Sequence, residues 1–315
     1  MDCSRCRAHP AYYTRRYSGE SLCPGCFVGS VVEKVGRTVA DHRMLRRGQR
    51  VGVAVSGGKD SLSLLKVLHD LGGYDLVALT VDEGVEGYRD EAIEHVKTVC
   101  GGLGVDLVLV SYRELFGFSL DQALDWEDER EVSSCSMCGV FRRRAIDEAA
   151  ARAKVDVVAT AHNLDDHVQT FMMNLLHGDV DRLAWLDPSG GGDGIPVRRV
   201  KPFTEVYEEE VALYALLSKI PFQGTSCPYM HEGLRSEVRD YLNELEARHP
   251  GVKNVLLSSA LKVTSRMSSA VRDDPAGKGA VPCEKCGKPS SRGLCGVCRM
   301  TQLVLEHAKV LKAQG

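Results

Sequence analysis

A chain of 315 residues, 43% of them hydrophobic, can bury one large core with small satellites. No apolar window approaches the roughly 18 to 20 residues that a membrane span needs, and the opening residues MDCSRCRAHP lack the apolar region of a signal peptide, so a membrane class is excluded and a cytoplasmic protein is expected. A net charge of -3 excludes attraction of nucleic acid by the field of the whole molecule; any such contact has to rest on local patches such as HRMLRRGQR (42–50), FRRRA (141–145) and the basic C-terminal end.

Twelve cysteines in a chain read as cytoplasmic point to metal rather than disulfides, because cytosolic thiols stay reduced. The first four, Cys3, Cys6, Cys23 and Cys26, form two C-x-x-C knuckles facing across a short loop. Four thiolates close a tetrahedral zinc with no open position, and a segment this short folds only around its metal. Residues 1–30 therefore read as an N-terminal zinc ribbon holding a structural Zn2+, ahead of a main domain at 31–270.

The main domain alternates strand and helix signals. RVGVAV (50–55) reads as a buried strand, Lys59 to Leu71 as a helix, DLVALTVD (75–82) as a strand and Tyr88 to Leu103 as a helix. DLVLVSY (106–112) is a third strand. A helix carrying Arg142 to Arg152 leads into a fourth strand, DVVATAHN (156–163). Such alternation predicts an α/β fold with a doubly wound parallel sheet. Thr204 to Lys219, Leu234 to His249 and Val252 to Met267 read as helices, DPSGGGDGIP (187–196) as a loop and RDDPAGKGAVP (272–282) as a linker. Residues 271–315 then form a second zinc ribbon, with Cys283, Cys286, Cys295 and Cys298 around another structural Zn2+, and a basic helix. Neither ribbon shows a clear base-reading helix after its knuckle, so neither reads as a DNA-binding finger. Cys100 lies outside every set and reads as a buried filler.

The stretch Ser56, Gly57, Gly58, Lys59, Asp60, Ser61 falls at the first strand-to-helix turn. Glycines that open onto a helix present backbone N–H groups and a positive dipole end, which is a seat for phosphate. It is not a Walker A loop, which wants glycine where Val53 stands and Ser or Thr where Asp60 stands. The pattern S-G-G-x-D-S instead resembles the PP-loop of N-type ATP pyrophosphatases, which cut ATP between its α and β phosphates. That resemblance implies that Ser56 and Ser61, with the amides of Gly57 and Gly58, hold the pyrophosphate part, and that Asp60 orients Mg2+ or the nucleotide.

Three further cysteines, Cys135 and Cys138 in SSCSMCGVFRRRAI (133–146) and Cys227 in GTSCPY (224–229), have no obvious fourth partner. They suit an iron–sulfur cluster with one iron left open, a thiol-based mechanism using a persulfide or disulfide pair, or a structural zinc.

Taken in order, SGGKDS, VDEGVEGYRDEA, CSMCGVFRRRA, AHNLDDHVQTFMMNLLHGD, TSCPY and the two terminal cysteine sets resemble the TtuA and NcsA group of tRNA 2-thiouridine synthetases over nearly the full length. The resemblance implies an adenine nucleotide alpha hydrolase-like fold, ATP, a tRNA uridine as substrate, and an oxygen-sensitive 4Fe-4S cluster on Cys135, Cys138 and Cys227. It further implies adenylation of the uridine C2 oxygen followed by sulfur transfer, with Asp60, Arg142 and Asp166 as catalytic residues. Some relatives have lysine where Arg142 stands. Ala54, Val55, Ser56, Val81 and Ala161 are implied as nucleotide contacts, although relatives often have glycine in place of Ala161. His162 reads as a buried, hydrogen-bonded histidine at the strand end.

Motif detail in VDEGVEGYRDEA, CGVFRRRA and MNLLHGDVDRLA resembles the wobble-uridine branch more than the T-loop branch, which stays the alternative beside a cytidine 2-thiolase or a non-catalytic nucleic-acid-binding zinc protein. The implied partners are tRNA, a sulfur donor that is free sulfide or the thiocarboxylate of a ubiquitin-like carrier, and a second copy of the chain in a homodimer. The segment from Arg37 to Arg50, with Arg292, Arg299 and Lys309, is read as the tRNA grip.

Overall fold

The computed structural model describes residues 1–125, 132–183, 186–190, 197–230, 234–272, 281–290 and 293–314. Arg292, residues 191–196 of the expected loop and 273–280 of the expected linker lie outside them, as does the side chain of Lys309.

At the N-terminus β1 (Tyr13–Arg15) and β2 (Glu20–Leu22) form a hairpin, and α1 (Pro24–Asp41) starts directly at the second knuckle with proline in its first turn. The main sheet comprises β3 (Arg50–Ala54), β4 (Asp75–Asp82), β5 (Asp106–Ser111), β6 (Val157–Ala159) and β7 (Arg198–Val200), all parallel and in the spatial order β5-β4-β3-β6-β7. Helices α2 (Lys59–Leu71), α3 (Arg89–Leu103), α6 (Ser134–Ala153), α7 (Leu164–Leu176) and α9 (Glu208–Leu217) cross between or flank these strands. Short α4 (Tyr112–Phe116), α5 (Leu120–Leu124) and α8 (Val180–Leu183) fill the connections. Beyond them lie α10 (Leu234–Arg248), α11 (Val252–Arg272), a hairpin of β8 (Val281–Pro282) and β9 (Pro289–Ser290), and α12 (Gly296–Gln314).

The doubly wound α/β sheet is the expected one. Its order reverses at β3, which has β4 on one side and β6 on the other, and such a switch point opens a crevice at the carboxyl ends of the strands. Central β3 is buried on both faces: Val51 and Val53 are fully covered, and Gly52 leaves room for its neighbours, since a Cβ there would come within 2.6 Å of Leu79 Cδ1. Helix α2 buries Leu62, Leu64, Leu65, Val67 and Leu68 against this layer.

Several boundaries differ from expectation. The third strand ends at Ser111, and Tyr112 opens α4. The fourth strand is Val157–Ala159 only, because Asn163 leaves the sheet to cap α7. The helix expected from Thr204 starts at Glu208, α11 runs on to Arg272 where a linker was expected, and strand β7 was not anticipated. Helices do follow the knuckles: α1 carries Cys26 and α12 carries Cys298. Neither presents a free reading face near its start, since Phe27, Val31, Val35 and Val39 of α1 enter the main core together with Cys3, Leu22 and Cys23, and Met300 and Val304 of α12 enter the core beside α6. Cys100 is a buried filler as expected.

Candidate active site

The loop after β3 is built around Gly57, whose φ of +90° and close approach to α3 suit only glycine: a Cβ would fall 2.5 Å from the Ala92 carbonyl oxygen. The buried Ser61 hydroxyl holds the loop closed from within. It accepts the Ser56 N–H at 3.1 Å, lies 3.2 Å from the Ser56 hydroxyl and donates to the Gly58 carbonyl at 3.0 Å. Gly58 is the N-cap of α2 and no side chain caps that helix, so its N-terminal amides and dipole face the crevice, the arrangement that receives anions.

Asp60 lies at the mouth. Its carboxylate meets Lys59 Nζ at 2.9 Å and the Asn163 side-chain amide at 3.4 Å, and Lys59 also reaches Glu208 at 3.0 Å. Across the switch point, Asp166 accepts the Asn163 N–H at 3.1 Å while its own N–H donates to Asn163 Oδ1 at 3.0 Å, a capping box at the start of α7. Arg235 stands 3.6 Å from Asp166. Partial burial raises both carboxyl pKa values, and each feels neighbouring acids, Glu208 among them. Two hard oxygen donors in the first turns of α2 and α7 suit Mg2+ with phosphate oxygens.

The residues expected at the nucleotide stand at the carboxyl ends of β3 and β4 and in the loop after β6. Ala54 is partly buried; Val55 is buried, its N–H bonded to the Leu79 carbonyl and its own carbonyl to the Thr80 hydroxyl. Val81 is buried with its carbonyl held by Arg89, and Ala161 is half-buried in the loop after β6. His162 is not buried as expected: it has left the strand, its ring is exposed, and Nδ1 lies 2.9 Å from the Thr160 hydroxyl.

The three central cysteines come to this end of the sheet from two segments. Cys135 is exposed in the first turn of α6, Cys138 is buried one turn later and Cys227 is half-buried. Gln223, four residues ahead of Cys227, donates its N–H to the Gly57 carbonyl at 3.1 Å and its side-chain amide to the Tyr88 carbonyl at 2.5 Å. Cys135 Sγ lies 3.8 Å from the Tyr229 carbonyl, and the Tyr229 hydroxyl is fixed by Asp121 at 2.8 Å. Burial raises the Cys138 thiol while Arg142, whose Nη2 stands 3.2 Å from its sulfur, opposes the rise. All three cysteines are free thiols.

The metal sites divide by geometry. In each terminal set, Cys3, Cys6, Cys23 and Cys26 or Cys283, Cys286, Cys295 and Cys298, all four sulfurs lie within 4.8 Å of one another, as ligands of one ion would. The Cys295 N–H at 3.2 Å, ahead of neighbouring amides, brings the Cys283 thiol down to about 6. Cys135, Cys138 and Cys227 are not drawn together in this way; a cluster, whose irons are ligated one thiolate each, suits donors set wider apart.

Sequence reasoning missed Glu83 and Arg89, both 4% exposed, which pair at 2.7 Å behind the loop. Their only signal was an acid and an arginine framing the glycines of VDEGVEGYR. Part of the expected basic grip stands apart from the crevice. Arg43, Arg46, Arg47 and Arg198 surround a concavity of about 1050 Å³ beside Gln49 and Asp156. Those neighbours precede β3 and β6, so the patch lies at the amino ends of the strands, away from the loop. Arg299 is exposed on α12.

The comparisons accord with this geometry. A PP-loop domain family matches residues 30–245. The cytoplasmic tRNA 2-thiolation protein 1 of Chlamydomonas reinhardtii is 35% identical over 302 residues, covering 94% of this chain and 83% of that protein. The tRNA 2-thiolation protein NcsA of Haloferax volcanii is 35% identical over 326 residues, covering 96% and 99%. The chain belongs to this tRNA 2-thiolation family. A solved structure described as the U34-tRNA thiolase NcsA from Methanococcus maripaludis with its 4Fe-4S cluster matches with a TM-score of 0.80 at 30% identity over 96% of each chain. Members of the family are sulfurtransferases with a PP-loop domain, and the SGGKDS turn at the switch point lies within the residues matched. Among the described residues no helix is long and apolar enough to cross a membrane.

Proposed function

We propose that the chain is an ATP-dependent tRNA-uridine 2-sulfurtransferase acting on the wobble base. The observation that carries this reading is the hydrogen bond from Gln223 to the Gly57 carbonyl, which ties the Cys227 segment to the phosphate loop, so that activation and sulfur delivery share one crevice. The relative named for U34, the wobble position, supports the choice of base.

In this reading Ser56, Gly57, Gly58 and the α2 N-terminus hold the pyrophosphate part of ATP, and Ala54, Val55, Val81 and Ala161 line its adenosine end. Asp60 and Asp166 would hold Mg2+, which when bound would supply positive charge for the phosphates. The uridine C2 oxygen attacks the α-phosphorus, the bond to the bridging oxygen breaks and pyrophosphate leaves; sulfide then adds to C2 and AMP departs with the original oxygen. Charge that builds at the α-phosphate is met by the Arg142 guanidinium. When bound on Cys135, Cys138 and Cys227, a 4Fe-4S cluster supplies one iron free of protein thiolate for holding sulfide. The two terminal cysteine sets hold structural Zn2+. The division at residues 1–30, 31–270 and 271–315, a cytoplasmic location, a homodimer and a donor that is sulfide or a carrier thiocarboxylate belong to the same proposal.

Anaerobically reconstituted protein with ATP, Mg2+ and sulfide should convert uridine to 2-thiouridine in an isolated anticodon stem-loop, read by nucleoside mass spectrometry. Such a loop offers its base near single-stranded, whereas a T-loop uridine must first be unstacked. Thiolation of a T-arm alone would move the assignment to the T-loop, and thiocytidine would overturn the uridine reading.

A further inference from the structure

Glu83 is gripped from both sides. Its Oε1 lies 2.8 Å from Arg142 Nε and its Oε2 2.7 Å from Arg89 Nε. Arg89 is itself buried and donates Nη1 to the Ser56 carbonyl at 2.7 Å and Nη2 to the Val81 carbonyl at 2.6 Å. At the other end, Arg142 Nη2 donates to Cys138 Sγ at 3.2 Å. An unbroken chain of polar contacts therefore runs from the phosphate loop through Arg89, Glu83 and Arg142 to a cysteine of the central set.

The backbone around Glu83 is built to aim it inward. Its carbonyl accepts the Leu120 N–H at 2.7 Å, and Gly84 turns the chain at φ +70° where a Cβ would strike Ser119 Cβ at 2.7 Å. A carboxylate this deep is costly to desolvate unless paired, and apolar residues of like volume often serve stability as well. Two guanidinium groups on one carboxylate leave one positive charge over, and the half-exposed Arg142 presents it to the crevice.

We propose that Glu83 is a positioning residue: it fixes Arg142 between the nucleotide loop and the three-cysteine site, and through Arg89 makes that position depend on the state of the loop. The fork of an arginine is what lets one side chain hold Glu83 by Nε and Cys138 by Nη2; the single ammonium of a lysine keeps the charge but not both contacts. The inference rests on the thiolation reading only for its kinetic arm.

Glu83→Gln, Arg142→Lys and the double variant should be compared with the parent protein after anaerobic reconstitution. Glu83→Gln should hold iron like the parent and lower thiolation kcat by about tenfold or more, with KM for ATP and tRNA within about threefold, and the double variant should be no slower than the slower single. A parental kcat in Glu83→Gln, multiplicative losses in the double variant, or loss of iron on its own would overturn the proposal. A second arm needs no turnover. The rate at which a ferrous chelator strips iron should change with a non-hydrolysable ATP analogue in the parent and not in Glu83→Gln, although calorimetry shows the analogue bound. An equal response in both, or none in the parent, overturns the link to the loop. If Glu83→Gln yields no folded protein, Arg142→Lys carries this arm, and it must lose the response. A parent that responds to nucleotide yet thiolates no tRNA would sink the thiolation reading and leave Glu83 supported.

Discussion

Gln223 gives its backbone N–H to the Gly57 carbonyl at 3.1 Å, so the segment that ends in Cys227 is bonded to the phosphate loop itself. Cys227 is thereby held where Cys135 and Cys138 arrive on α6, although 88 residues of chain separate it from Cys138. Replacing Cys227 by alanine removes one of three cluster ligands and touches neither terminal set. Anaerobically purified parent should carry about two zinc and about four iron per chain, and Cys227→Ala should lose most of the iron and keep the zinc. Elemental analysis decides it: full iron in the variant removes Cys227 from the site.

How much of this was legible depended on whether a residue's role was local. The bounds of α2 and β4 follow from short-range signals, with Gly58 at one end of α2, Gly72 at φ +64° at the other, and an apolar run through β4. Helix α1 is hidden because its first turn doubles as a cysteine knuckle, and the apolar spacing of Phe27, Val31, Val35 and Val39 stands directly beside the cysteines. DVVATAHN looks like one strand because nothing in its alternation shows that the Asn163 side chain is needed to cap α7. The site residues that resemble family motifs stand in segments at the carboxyl end of the sheet, but burial of Glu83 and Arg89 is a tertiary fact that charge alone argues against. Likewise the arginines of 42–50 give the sign of a surface and not the end of the sheet on which it stands.

Gly57 admits a sharper test of the loop. Gly57→Ala must move the Ala92 backbone and adopt a strained φ, at about 1–3 kcal/mol, so both melting temperature and ATP affinity should fall. Gly101 in α3 serves as the control: nothing lies within 4 Å of a Cβ there, and alanine in a helix is favoured by about 0.5–1 kcal/mol. Thermal unfolding and nucleotide titration should separate the two variants in opposite directions for stability. An undiminished ATP affinity in Gly57→Ala would remove the loop from the nucleotide site.

The two ribbons should respond differently to metal loss. Cys3 and Cys23 belong to the main core with Leu22 and Phe27, and Arg15 on the hairpin makes a buried pair with Glu210 of α9 at 2.5 Å. Cys3→Ser should therefore unfold or strongly destabilise the whole protein, lowering its melting temperature by about 10 °C or more if several kcal/mol are lost. The C-terminal set instead lies on α6, where Arg144 Nη2 stands 3.8 Å from Cys295 Sγ and Lys288 pairs with Glu148. Cys283→Ser should leave the main melting transition nearly in place and loosen α6, so that Cys135 and Cys138 hold iron less tightly. Equal losses of stability in the two variants, followed by calorimetry and iron release to a chelator, would contradict this division.

Asp60 combines a functional need with a cost to stability. Burial, set against the opposing Lys59 beside it, leaves its pKa above the ordinary 3.8. Between the unfolded value and the raised one the native state holds more protons than the unfolded state, so stability declines as pH rises through that window, and above it the ionised carboxylate carries the full penalty. Asp60→Asn removes the charge, keeps the shape and leaves Lys59 its contact with Glu208 at 3.0 Å. The variant should melt above the parent at pH 7, and the difference should shrink as acid protonates Asp60 in the parent, a stability–activity trade-off expected of a charge held partly buried for function. Pyrophosphate release should be lost at the same time, while tRNA binding, gripped through its phosphates elsewhere, stays near the parental value. Melting curves at several pH values and a pyrophosphate assay test both halves: a variant that melts lower at pH 7 reverses the electrostatic account of Asp60, and one that still releases pyrophosphate removes it from the catalytic set.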